Sequence, residues 1–170
     1  MKLREFNEAD YEAVFQFNSN PEIHKYTGDP CLSNPQQAKE IITNTWLSDY
    51  MKYGYGRWAA IYKPENKIIG FAGLKYLPEL NETDIGFRFL PEYWGKGIAS
   101  EVAVALIKYG FEILGLEKII GIAMPENTGS RKVLEKAGLD LYKTDTYQED
   151  GKNYHWYSIK KEKYTQQYSQ

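Results

Sequence analysis

The run Phe87-Arg88-Phe89-Leu90-Pro91-Glu92-Tyr93-Trp94-Gly95-Lys96-Gly97-Ile98-Ala99-Ser100 constrains this chain more than any other stretch. An apolar strand there breaks into a glycine turn that opens directly into a helix. The first N–H groups of a helix have no internal partner and carry the positive end of its dipole. Glycines at 95 and 97 let an anion approach that main chain closely, so the junction reads as a phosphate site. The expected ligand therefore carries a phosphate.

Composition narrows what surrounds this junction. With 170 residues, 42% hydrophobic and 26% charged, the chain has the profile of one soluble domain with a sizeable core. We assign it to residues 1–163 and expect a polar, frayed tail at 164–170. The first residues are charged, and no apolar run approaches the roughly 20 residues needed to cross a bilayer, so a cytoplasmic protein without a membrane partner is expected. Cys31 is the only cysteine, which excludes an internal disulfide and a cysteine-based zinc site, and no metal is expected. Cys31 lies among Gly28, Asp29, Pro30 and Pro35 with only His24 nearby, a poor setting for a nucleophilic thiol. The formal charge of −2, with Lys and Glu interspersed, argues against nucleic acid as a partner.

Punctuation along the chain predicts alternating elements. A short strand over 3–6 leads to a helix opened by Asn7 and ending near Pro21, its apolar stripe formed by Tyr11, Val14, Phe15 and Phe17. A Gly-, Pro- and Asn-rich loop over 28–35 precedes a second helix over 36–51. Strands follow at 57–62 and 68–76 around a turn at 63–67, and a third at 84–90, where Ile85, Phe87 and Phe89 alternate onto one face. The helix over 98–114 shows Ile98, Val102, Ala105, Leu106, Tyr109 and Ile113 on one side and stops at Gly115. A buried strand over 118–123, a helix from Asn127 to Ala137, and a hairpin over 141–147 and 154–160 complete the order.

Two common owners of such a glycine turn are ruled out by spacing. The nucleoside-triphosphate loop needs Gly-Lys followed by Ser or Thr, and Lys96-Gly97 has the wrong order. The dinucleotide fingerprint needs a third glycine, where this chain has Ser100, and it belongs near the first strand. The third owner is an acyl-coenzyme A site. Trp94-Gly95-Lys96-Gly97-Ile98-Ala99 resembles the cofactor motif of the GNAT superfamily of N-acetyltransferases: Gln or Arg, two residues, Gly, one residue, then Gly or Ala. Trp94 departs at the first position, in the manner of the branch typified by the RimJ and RimL ribosomal-protein acetyltransferases. Asn127-Thr128-Gly129-Ser130 running into Glu135-Lys136-Ala137-Gly138-Leu139 is similar to a second segment of that branch.

The resemblance, carried by residues 84–139, implies a mixed α/β fold with a splayed central sheet of about six to seven strands flanked by about four helices. It implies acetyl-CoA as co-substrate, its pyrophosphate held by main-chain N–H groups of Gly95, Lys96, Gly97, Ile98, Ala99 and Ser100. The pantetheine arm would pair with Phe87, Arg88, Phe89 and Leu90, and an N–H near Phe89 would polarise the thioester carbonyl. Many relatives place a tyrosine acid seven residues after the asparagine, a position held here by Leu134. On the branch's pattern Ser130 would hydrogen-bond the sulfur and Asn127 the pantetheine arm, while both also suit helix capping. Asp84 is the first candidate for the base, its alternative role being an ion pair with Arg88. His155, Asp145, Glu149 and His24 are weaker candidates.

Acyl transfer from a thioester to an amine needs no covalent enzyme intermediate, so direct attack in a ternary complex is expected, with a noncatalytic acyl-CoA-binding or sensing module as the alternative. The acceptor is a primary amine: a protein N-terminus, a polyamine or another small amine. Tyr26, Trp46, Tyr50, Tyr53, Tyr55 and Trp58 are candidates to line its pocket, although most large aromatics belong to cores. A monomer and a homodimer are equally compatible with the sequence.

Overall fold

The structure, a computed structural model, describes residues 1–147 and 151–168. One seven-stranded sheet organises them, in the order β1-β2-β3-β4-β5-β7-β6. The strands are β1 (Lys2–Arg4), β2 (Arg57–Tyr62), β3 (Lys67–Leu77), β4 (Glu82–Phe89), β5 (Lys118–Ala123), β6 (Asp140–Thr146) and β7 (Asn153–Lys160). The helices are α1 (Tyr11–Asn18), a single turn α2 (Pro21–His24), α3 (Pro35–Ile41), α4 (Leu47–Tyr53), α5 (Ile98–Glu112), α6 (Thr128–Lys136) and α7 (Lys161–Tyr168). A π-helical turn over Ile42–Trp46 joins α3 to α4, so the predicted second helix is continuous but underwound at its centre.

The hydrophobic alternation of β3 sorts the layers. Phe71 faces one side, its ring 6.1 Å from Phe17 of α1 and 5.8 Å from Trp46 of the π turn. Leu74, of opposite parity, faces α5, where its Cδ1 lies only 2.9 Å from where a side chain on Gly110 would begin. The register Arg88↔Phe71, Gly86↔Gly73 and Asp84↔Lys75 carries this parity into β4. Asp84, Gly86 and Arg88 therefore share the face of α1–α4, and Ile85, Phe87 and Phe89 share the face of α5.

The parallel pairing of β4 with β5 is confined to Asp84↔Ile120, after which the two strands diverge. A parallel pair needs a crossover, here α5, and the divergence opens the sheet where that helix begins.

Two local expectations need correction. Lys161–Tyr168 is helical rather than frayed, because Tyr164 is buried 5.0 Å from the Phe111 ring and donates to Glu112 at 2.6 Å. Ala105 in α5 and Ile113 just after it face solvent while Ala103, Ile107 and Phe111 are buried, since the helix beds on the sheet across a wider face than the predicted stripe. The expected capping role of Asn7 holds, reinforced by Asp10, whose carboxylate also takes both arms of Arg4 at 2.7 and 2.8 Å.

Candidate active site

A cleft of about 1080 Å³ runs through the opening between β4 and β5. Its donor end is made of main chain. Gly95 (φ +71°) and Gly97 (φ +77°) adopt the left-handed conformation, and nothing lies within 4 Å of where a side chain on either would begin. Gly97 caps α5 with no side-chain hydrogen bond, and the first helical bond is Glu101 N–H to Gly97 C=O at 3.0 Å. The N–H groups of Ile98, Ala99 and Ser100 precede that bond and belong to the orphaned first turn. An open glycine cradle over a helix N-terminus suits a pyrophosphate, and the adjoining gap between strands suits an extended arm such as pantetheine.

Of the predicted residues, Asp84, Phe87, Arg88, Phe89, Gly95, Gly97, Ile98, Ala99, Ser100, Asn127 and Ser130 all line this one cleft. Leu90 does not. It is buried in the core, and its N–H donates to Ile69 C=O at 2.8 Å. Lys96 also lies outside, with its ammonium 5.2 Å from the Tyr93 ring centroid. Asn127 accepts the Ser130 N–H at 3.0 Å and so caps α6, which commits its side-chain oxygen to the helix. The Ser130 side chain carries no hydrogen bond among the described residues.

Asp84 pairs with Arg57, not with Arg88. The Arg57 guanidinium lies across Gly86, where a side chain would begin 2.4 Å from its Cζ, and reaches the Asp84 carboxylate. It also donates to the carbonyls of Gly73 at 2.6 Å and Asp84 at 3.1 Å. The Asp84 side chain is 13% exposed, and burial pushes its pKa up while Arg57 and Lys75 pull it down. Arg88 turns instead to Asn18 (2.5 Å) and Asp29 (2.8 Å), tying the sheet to α1 and the loop after α2.

The remaining predicted candidates separate cleanly. Tyr26 and Trp46 line the cleft. Tyr50 donates to the Arg57 carbonyl, Tyr55 bonds Thr83 at 2.7 Å, Tyr53 packs on Tyr76 and Trp58 on Tyr109, all as structural aromatics. His24 and His155 do not line it; each has one buried ring nitrogen without a partner among the described residues. Burial and Arg88 hold the His24 pKa down. Asp145 is exposed beside Lys143 at 3.1 Å, Cys31 is exposed, and Glu149 lies outside the described residues.

Sequence reasoning missed Arg57 and Tyr147. The signal for Arg57 is the pair of glycines opposite it, Gly73 and Gly86, which becomes visible only once the register is known. Tyr147 lines the cleft from the β6–β7 hairpin, and its phenol is pushed up to about 12, first by burial and then by the nearby Asp84 charge.

An open sheet whose strands part over the glycine-capped start of a crossover helix defines a class, and the comparisons agree. Residues 1–140 match the acetyltransferase (GNAT) domain family, to which the chain belongs. The chain is 32% identical to the uncharacterized N-acetyltransferase YoaA of Bacillus subtilis, over 80% of this chain and 77% of that protein. A GNAT-family acetyltransferase from Bacillus anthracis superposes with a TM-score of 0.80 at 28% identity, covering 94% of each chain. A spermidine N-acetyltransferase from Vibrio cholerae, solved with CoA and spermine, shares the fold with a TM-score of 0.77 at 20% identity over 96% of each chain. The protein is an N-acetyltransferase with the expected mixed α/β architecture. No helix among the described residues is long and apolar enough to cross a membrane.

Proposed function

We propose that this enzyme moves an acetyl group from acetyl-CoA to a primary amine by direct attack in a ternary complex, with a donor site arranged as in the RimJ/RimL-like branch. One observation carries the reading: β4 leaves β5 immediately after Asp84↔Ile120, and the gap so made ends on the first turn of α5, which has no side-chain cap. Bound acetyl-CoA supplies the activated acetyl group as a thioester. The N–H groups of residues 98–100 hold its pyrophosphate, and the β4 edge at Phe87 and Phe89 holds its arm. The Phe89 N–H is placed to face the negative charge that develops on the carbonyl oxygen.

Ser130 donates its hydroxyl toward the departing sulfur. Asp84 takes a proton from the incoming ammonium through water, with Arg57 keeping the carboxylate ionised. The acceptor enters on the face of α1–α4, between Tyr26, Trp46 and Tyr147. Trp94 at the first motif position and Ser130 in the α6 turn support the branch. The acceptor classes that fit are protein N-termini, polyamines and other small amines, in a cytoplasmic setting.

The test is calorimetric titration with acetyl-CoA, followed by thiol release across an amine panel as a function of pH. Burial raises the Asp84 pKa above its ordinary 3.8, so the rise of kcat/KM with pH should contain a limb displaced upward from that value. Asp84→Asn should abolish the limb and lower the rate about 10²-fold, the smaller end of general-base contributions. An unchanged profile in Asp84→Asn would remove Asp84 from the mechanism. Absence of acetyl-CoA binding would remove the whole reading.

A further inference from the structure

The indole of Trp94 makes one hydrogen bond that the proposed chemistry does not yet use. Its Nε1–H donates to the Phe89 carbonyl at 2.7 Å, although the residue remains 46% exposed. The bond spans the short 3₁₀ turn Pro91–Tyr93, which is itself tied by Tyr93 N–H to Leu90 C=O and Trp94 N–H to Pro91 C=O, both at 3.0 Å.

The consequence follows from strand geometry. Leu90 N–H and Phe89 C=O belong to the same peptide and point in opposite directions. Because Leu90 N–H donates to Ile69 on β3 at 2.8 Å, the Phe89 C=O must leave β4 on the other edge, toward the gap. A strand residue directs its own N–H and C=O to the same edge, so the Phe89 N–H faces that gap as well. With β5 diverging after Asp84↔Ile120, no parallel neighbour is there to occupy the carbonyl. The indole replaces it.

We infer that Trp94 is a positioning residue for acetyl transfer: its indole N–H caps the Phe89 carbonyl, fixing the 89–90 peptide so that the Phe89 N–H alone is presented to the thioester oxygen. An uncapped carbonyl at that edge would place a partial negative charge beside the oxygen on which charge develops, and would leave the strand end free to rotate. Both effects act on the transition state more than on coenzyme affinity, because the contacts to the pyrophosphate lie in the separate cradle at 95–100. The inference rests on the proposed acetyl-CoA site. Side-chain chemistry gives a direct control, since Gln and Arg also project N–H donors, while Phe keeps an aromatic ring without one.

The experiment measures kcat and the KM for acetyl-CoA in Trp94→Phe, Trp94→Gln and Trp94→Arg, with calorimetric binding and thermal melting of each variant. Trp94→Phe should lower kcat about tenfold, below the ~10²–10³-fold of losing an oxyanion donor outright, with the acetyl-CoA Kd within about twofold of the parent. At least one of Trp94→Gln and Trp94→Arg should recover most of the loss. The inference is overturned by an unchanged kcat in Trp94→Phe, by equal losses in all three variants, or by a loss that appears only in Kd or melting temperature. If the parent enzyme itself neither binds acetyl-CoA nor releases thiol, the proposed function fails first. If Trp94→Phe does not fold, the donor-bearing pair decides: kcat near the parent in either supports the inference, and a tenfold loss in both opposes it.

Discussion

The two halves of the cleft are built from different materials. The donor half is main chain: two left-handed glycines, the orphan N–H groups of α5 and the free edge of β4. The acceptor half is side chain: the Arg57–Asp84 pair, Arg88 bridging to Asn18 and Asp29, and aromatics from the α2 loop, the π turn and the terminal hairpin. Backbone geometry is set by local residue types, so a short motif suffices to specify it. Side chains that converge from four separate segments are specified only by the register and packing of the whole fold. Substitutions should accordingly damage the acceptor half through stability and charge, and the donor half through coenzyme affinity.

The largest expected effect is on the acceptor side. Arg57→Met leaves the Asp84 carboxylate without its partner in a site where it is 13% exposed, and breaking such a pair typically costs about 3–5 kcal/mol. The carboxyl can escape part of that cost by protonating. The sign follows from proton binding. Burial raises the folded pKa above the unfolded 3.8, so between the two values the folded state holds more protons and stability falls as pH rises. Without Arg57 the folded pKa rises further and the window widens upward. Melting curves should therefore show a deficit for Arg57→Met that is greater at pH 8 than at pH 5. A deficit independent of pH would mean that the guanidinium acts by packing against Phe71, 5.8 Å away, and not by charge.

Gly97→Val probes the donor side and should act mainly on binding. The position is open in space, so the penalty is conformational: a β-branched residue at φ +77° is strained by ~1–2 kcal/mol. Relaxing the turn redirects the N–H groups that follow it. Acetyl-CoA affinity should fall at least about tenfold, the equivalent of ~1.4 kcal/mol, while the pH profile assigned to Asp84 keeps its shape. Titration calorimetry beside a pH–rate series checks both. A shifted acid limb in Gly97→Val would show that the two halves are energetically one unit.

The same contrast explains what was legible before the structure. The sequence Asp84-Ile85-Gly86-Phe87-Arg88-Phe89 alternates polar or small with apolar residues, and the alternation anticipates that Phe87 and Phe89 face α5. The strand at 118–123 and the Asn127 cap were readable for similar local reasons. Arg57 was not, because its role depends on Gly73 and Gly86 aligning across three strands. Helix α7 was not, because a polar segment is held by one buried tyrosine, which periodicity does not reveal. Asp84 and Arg88 do lie on one face, as an ion pair would require, but Gly86 between them admits the Arg57 guanidinium.

The smallest expected effect is the sharpest test of a main-chain donor site. Lys96 sits between the two cradle glycines, where a basic side chain invites assignment to the pyrophosphate. Its ammonium lies over the Tyr93 ring and it is absent from the cleft wall, so any attraction to a bound phosphate acts through solvent. Charges so exposed are screened over about 8 Å at physiological ionic strength. Lys96→Ala should therefore weaken acetyl-CoA binding less than about threefold in 0.15 M salt, with a larger difference appearing only as salt is lowered. The two titrations together are decisive. A tenfold loss that persists at 0.15 M salt would mean that the lysine swings in to contact the phosphate directly. The contrast between a donor half of backbone and an acceptor half of side chains would then fail where it is most specific.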